Sequence, residues 1–377
     1  MSREPQLWAL GLYHALNDGS LAVFLAALPV IRVAVGLSFV EIGTILSLGL
    51  LATVLMQFVF GFLADQGYAR KGLVVGLVSI AVIDLFFTRA GNYPQVLVFY
   101  VLLRAAGGAY HPVSFSTIFQ TFDHRFSLGF QSAFGDASIA LAMVSTGFVA
   151  ESFGWQIPFY AWGVTACIGA GVFITLTKSI GRTSAQAVRS KLHGAVTRHF
   201  LILQFVGVFL QCIFAVFTGF MPLFLNVNLN LSPGVSSLVV ALWMAIGVTA
   251  SFNAGRIIGF FKGELRTLRM AFGITAIMFI LAFVAASLKM WPLALTLLVL
   301  SGLPHLLTYP VFYGMIGITS DRQHLGLAYA TNLSFSYLAG SAVSYATGYL
   351  SSAYSLAVIL PILTLSAIGA SITTFLL

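Results

Sequence analysis

Charge is what this sequence has least of: 7% of its 377 residues are Asp, Glu, Lys or Arg, against 59% hydrophobic. A water-soluble domain carries about 25% charged residues, so a folded chain of this composition has too little polar surface to face water all round. Cysteine is nearly absent as well, with only Cys167 and Cys212. Two thiols exclude a disulfide framework and a zinc-type spacing, and both are read as small apolar residues inside helices. No Gly-rich phosphate loop and no nucleophile-base motif is present, so the sequence implies no enzyme, no cofactor and no resident metal. Strict apolar-polar alternation is missing too, as in "LSLGLLATVLMQFVFGFLA" from Leu46 to Ala64. That excludes a barrel built of strands of about 10 residues.

What is present is a succession of apolar runs of about 20 residues or more, the helix length that crosses a hydrocarbon core. Breaks at charged and Pro/Gly/Asn clusters place twelve spans near 7–34, 39–64, 72–90, 93–121, 126–152, 156–178, 199–227, 234–260, 267–287, 291–320, 323–351 and 354–376. The expected fold is therefore all-α and integral to a membrane. The one long polar interval divides the chain into residues 1–178, a linker at 179–198, and residues 199–377. With the N-terminus inside, fourteen of the 18 Lys and Arg residues fall on the cytoplasmic side, as the positive-inside rule requires. Both termini are expected in the cytoplasm, and the first run, which carries Asp18, is expected to be an uncleaved first helix. The net charge of +8 is then a topology signal with anionic lipid as its neighbour, and calls for no nucleic acid.

The chain repeats itself in one orientation. "AVFLAALP" (Ala22 to Pro29) lies over "AVFTGFMP" (Ala215 to Pro222), and "HPVSFSTIFQTFDHRFSLG" (His111 to Gly129) over "YPVFYGMIGITSDRQHLG" (Tyr309 to Gly326). Parallel six-helix repeats of this kind belong to transporters whose substrate site lies at the midplane between the halves. The whole chain resembles the major facilitator superfamily. "HALNDG" on the first helix with "AYHPVSFS" on the fourth is similar to its fosmidomycin-resistance branch, and "GFLADQGYARKG" (Gly61 to Gly72) resembles the superfamily's cytoplasmic loop motif. Gln66 stands where that motif has Arg, and the basic pair comes one residue late. The resemblance implies twelve transmembrane helices in two parallel six-helix repeats, with helices one and four lining a central cavity. It also implies a gate of loop charges: Asp65, Arg70, Lys71, Asp123, Arg125 and Asp321.

Ionisable groups at membrane depth cost about 2.5 to 3.5 kcal/mol on the insertion scale, so each needs a partner or a cavity. Asp18, Arg104 and Asp136 are the candidates for proton coupling, and Asp18 is expected to pair with Arg104, whose guanidinium stays charged. Seven residues separate Arg104 from His111, which places the two nearly on one helix face. Candidate substrate contacts are His14, Asn17, His111, Gln211, Asn253, His305, Tyr309 and Asn332. The alternative for His14 and His111 is a core histidine bonded to a backbone carbonyl; Asp84, on a helix peripheral in the family, is read as structural.

The function expected is a proton-coupled transporter of a small organic compound, an exporter by resemblance, monomeric, in the cytoplasmic (inner) membrane. Its partners are the small-molecule substrate, protons and membrane lipid. Proton-coupled uptake of a small metabolite or a divalent metal, through His14, Asp18 and His111, is the alternative. A non-transporting receptor or an enzyme is the alternative of another class.

Overall fold

A computed structural model describes residues 4–177, 198–321 and 324–377. The expected linker, apart from Arg198, lies outside these residues, as do Arg3, Lys178 and Arg322. Ten helical runs among the described residues are long and apolar enough to cross a bilayer. One of them, Phe39–Phe87, holds two spans. It turns back at Ala64–Tyr68, where Gly67 adopts a φ of +83° that a side chain would strain. The more polar helix Leu325–Ala353 completes the set of twelve.

The first six spans are α1 (Glu4–Val35), α2 (Phe39–Leu63), α3 (Ala69–Phe87), α4a (Tyr93–Gly107) with α4b (Tyr110–Thr121), α5 (His124–Phe153) and α6 (Gln156–Leu176). The second six are α7 (Arg198–Asn228), α8a (Pro233–Phe252) with α8b (Ala254–Phe260), α9 (Glu264–Ser287), α10a (Trp291–Leu300) with α10b (Gly302–Thr319), α11 (Leu325–Ala353) and α12 (Ile359–Thr374). Every expected span is found, with ends shifted by a few residues. The breaks inside α4, α8 and α10 were not expected. Pro112 has no N–H to offer the Gly108 carbonyl, and Pro304 none for Leu300, so both fourth helices tighten one turn earlier. In α8 the Asn253 side chain takes the Thr249 carbonyl at 2.8 Å, in competition with the helix backbone.

The halves meet along two long seams, α2 against α11 and α5 against α8. Arg70, Lys71, Arg125, Arg256, Lys262 and Arg266 mark one end of the bundle, here the basic end. Apolar packing forms two large clusters, one toward each end. On α1 the basic-end cluster stops at Leu16 and the far-end cluster begins at Ala22, so Asn17 and Asp18 lie in the gap.

Both ends are bridged between halves. At the basic end, Asp65 accepts the Gly326 and Leu327 N–H groups at 3.1 and 3.0 Å, and Arg125 Nε meets Glu264 Oε1 at 2.8 Å. At the far end, Glu151 accepts from Ser232 and from the Gly234 N–H at 3.0 and 2.8 Å. There Gly43 and Gly348 also touch, and a Cβ on Gly348 would lie 2.5 Å from the Phe39 carbonyl oxygen and 2.7 Å from Gly43 Cα. Backbone cannot yield as a side chain can. Gly348→Leu is therefore expected to hold the far end open, raising far-side thiol labelling of a cysteine placed at Thr218 several-fold; unchanged labelling would show that the seam tolerates the bulk.

Candidate functional site

Between the two apolar clusters lies a cavity with two connected chambers. The one toward the far end is walled by Leu21, Leu25, Leu46, Leu50, Tyr100, Phe214 and other apolar groups, with Arg104 and Thr218 among them. The chamber toward the basic end carries His14, Asp136, Tyr309 and Tyr313. Asp18, His111, Gln211 and Tyr337 face both.

Asp18 is the hub. His14 Nε2 approaches Asp18 Oδ2 to 3.1 Å, one helical turn away on the same face, and His111 Nε2 from α4b comes within 3.7 Å of Oδ1. The Asn17 amide donates to Asp18 Oδ1 at 2.7 Å. Gly135 of α5 makes room, since a Cβ there would lie 2.6 Å from His14 Nε2. Tyr110 stacks on the His14 ring with centroids 4.6 Å apart.

The other ring nitrogen of His14 decides the chemistry. Nδ1 lies 2.7 Å from the Gln131 backbone carbonyl, which only accepts, so Nδ1 carries a hydrogen and donates it. Nε2 of the neutral ring would then point a lone pair at a carboxylate oxygen 3.1 Å away. Two acceptors do not meet at that distance without a cation between them. The arrangement holds together when one proton sits between His14 and Asp18, on either group. The ligand atoms of His14, Asp18 and His111 also lie within 4.8 Å of one another.

Arg104 does not pair with Asp18. Its Nε donates to Thr53 Oγ1 at 3.1 Å and its guanidinium lies over the Tyr337 ring, 5.5 Å from the centroid. The expected pairing rested on the need of a buried guanidinium for a carboxylate. Arg104 does line the same chamber as Asp18 and His111, but its side chain is held by Thr53 of α2 and lies over Tyr337 of α11.

Asp136 accepts from Ser251 of α8a at 2.6 Å, a polar tie across the two halves. Four expected substrate contacts line neither chamber: Asn17, which is turned onto Asp18, and three others. Asn253 is held within its own helix, Asn332 donates to Gln204 at 3.1 Å, and His305 stacks on Trp243 with centroids 5.2 Å apart. Asp84 is fully buried in α3, beside Gly163 of α6. Of the loop charges, Arg70 donates to the Ile174 carbonyl at 2.9 Å, and Lys71 lies over Tyr68, 5.0 Å from the ring centroid. Asp123 caps α5 through the Arg125 N–H, and the Asp321 carbonyl accepts the His324 N–H. Thr53, Gln131 and Ser251 were missed because a hydroxyl or a backbone carbonyl inside an apolar run gives no signal of its own, and Glu264 because its partner Arg125 lies far away in the sequence.

Two like-oriented sets of six spans around a central polar cavity define a secondary-transporter fold. The chain belongs to the Major Facilitator Superfamily, whose family model matches residues 10–344. It is 28% identical over 178 residues to a maltose permease of Geobacillus stearothermophilus, covering 45% of this chain and 45% of that protein. Over 108 residues it is 30% identical to the fosmidomycin resistance protein of Escherichia coli (strain K12), covering 29% of this chain and 27% of that protein. The chain thus aligns with under half the length of these curated relatives. The solved structure of the proton:xylose symporter XylE bound to 6-bromo-6-deoxy-D-glucose superposes with a TM-score of 0.78 at 14% identity, over 98% of this chain and 94% of that one. At that identity the likeness concerns the fold. The family indicates a multi-pass membrane transporter rather than an enzyme.

Proposed function

We propose that this chain is a proton-coupled transporter that exports a small organic compound by alternating access, with Asp18 as the group that gains and loses the proton. The observation that carries this reading is the commitment of His14 Nδ1 to the Gln131 carbonyl, which leaves Nε2, 3.1 Å from Asp18 Oδ2, to share one proton with the carboxylate. A proton held there faces both chambers of the cavity through Asp18. His111 is its second neighbour, Asn17 fixes the carboxylate, and Gln211 and Tyr309 face the substrate. Asp136 is the second acid, tied to the opposite half through Ser251.

In this reading the basic end is cytoplasmic, both termini lie there, and the protein is a monomer in the cytoplasmic membrane with anionic lipid against its basic loops. Residues 1–178 and 199–377 act as two bundles that rock about the cavity, joined by 179–198. The basic-end ties of Asp65 and Arg125 break when that end opens. Export draws on the likeness to the fosmidomycin resistance protein, and uptake, the alternative, on the likeness to the maltose permease.

The test is transport in proteoliposomes under an imposed pH gradient, run against phosphonates, organic cations and sugars. Accumulation of at least one compound only when the gradient is present supports proton coupling; accumulation indifferent to the gradient contradicts it. Divalent-metal uptake is the second reading, favoured by the compact grouping of His14, Asp18 and His111. A zinc arm of the same assay decides it.

A further inference from the structure

Arg104 is 91% buried, being 9% exposed, and sits at membrane depth on α4a. A guanidinium cannot shed its charge to suit such surroundings, so it requires a counter-charge. Among the described residues no carboxylate lies within 4.0 Å of it. Asp18, the partner expected for it, is occupied by His14, His111 and Asn17. What holds Arg104 is neutral: Thr53 on its Nε and the face of Tyr337.

The pose is built. The one Thr53 hydroxyl hydrogen is shared between the Arg104 carbonyl at 3.0 Å and the Gly49 carbonyl at 3.1 Å, locking the side chain to α2. Gly49 clears space for the stem, since a Cβ there would lie 2.9 Å from Arg104 Cγ. With Nε committed to Thr53 and the neutral Tyr337 hydroxyl beside it, the guanidinium belongs to the wall of the far-end chamber. The rest of that wall is largely aliphatic and aromatic, from Leu21, Leu46, Leu50, Ile139 and Phe214.

We infer that the far-end chamber is a subsite for an amphipathic organic anion, with Arg104 binding its carboxylate or phosphonate and the apolar wall receiving its hydrocarbon or aryl body. The inference rests on the transport reading for the cavity's role and adds the class of its substrate. An anion supplies the counter-charge the protein withholds, and a planar fork suits a two-oxygen head group.

The probe is phenylpropylphosphonate, with phenylpropanol and phenylpropyl-trimethylammonium as neutral and cationic controls of the same body. Binding is measured by calorimetry on the purified full chain in detergent. The phosphonate is expected to bind and the two controls to bind at least tenfold more weakly. Arg104→Gln is expected to lower phosphonate affinity about 10- to 150-fold, the equivalent of 1.5–3 kcal/mol for a charge-assisted hydrogen bond, and Arg104→Lys to restore part of it. Thr53→Val keeps the charge but frees the side chain, and is expected to cost several-fold should the Gln variant not fold. Equal or tighter binding of either control, no binding of any probe, or phosphonate affinity unchanged in Arg104→Gln and Thr53→Val would overturn the inference. Gradient-driven transport of an organic cation or a sugar, lost on Asp18→Asn, would then leave the transport reading standing without it.

Discussion

Asp18→Asn is expected to abolish accumulation driven by a pH gradient while leaving substrate binding and passive exchange in place. Asn is nearly isosteric with Asp, and its amide donates to the His14 Nε2 lone pair while its oxygen still accepts from Asn17. The hydrogen-bond geometry of the cluster therefore survives. What is lost is the ionisable proton. With one proton exchanged per substrate, one pH unit sustains at most about a tenfold concentration ratio, since 1.4 kcal/mol is a factor of ten. The variant should give a ratio of one at any imposed gradient. Asp18→Glu should keep part of the coupling, because the acid remains and only its reach changes. An Asp18→Asn protein that still concentrates substrate would move the coupling role to Asp136, the other cavity carboxylate.

The second large effect is expected at the basic end. Asp65, in the turn between α2 and α3, accepts two backbone N–H groups just where α11 begins. The helix N-terminus favours an anion there, and each bond is charge-assisted. An Asn at this position accepts with one oxygen and turns an amide donor toward a donor. At about 1.5–3 kcal/mol for hydrogen bonds to a charged group, Asp65→Asn should shift the population toward basic-end opening about 10- to 150-fold. A cysteine at Ser132, in the wall of the basic-end chamber, reports it. Its labelling from the cytoplasmic side should rise in the variant and fall again when Gly348→Leu is added to compete. Labelling equal to that of the parent would show that the Asp65 tie does not differ between states.

Much of this architecture is legible in the sequence because a bilayer leaves so few solutions. Any chain this poor in charge must satisfy its backbone internally, and apolar runs of helical length do so. The helix hardest to place by hydropathy, Leu325–Ala353, is the one whose Asn332, Ser334, Ser336 and Ser341 turn inward. Polarity there reflects packing against α2 and α7 rather than water. His14 and Asp18 could be joined from the sequence because four residues on a helix fix a contact. His111 could be placed at their depth by counting from the span ends, and it does reach Asp18.

The pose of Arg104 was not legible, because its partners are a hydroxyl on α2 and a ring on α11, which no spacing links to it. Nor was the role of Gln131, which acts on His14 through its main chain; every residue has a carbonyl, and only the fold selects one. The inter-half ties to Glu264 and Ser251 join elements far apart in the sequence, with no spacing to announce them.

Proton release on substrate binding tests the assignment of Asp18 most directly. The protein is held in lightly buffered detergent solution with a pH-sensitive dye, and the compound identified in the proteoliposome panel is added at saturation. The parent should release about one proton per chain as substrate displaces it from the His14–Asp18 pair, and Asp18→Asn, binding the same compound, should release none. Equal release from parent and variant would contradict the account, because the proton would then come from a group other than Asp18.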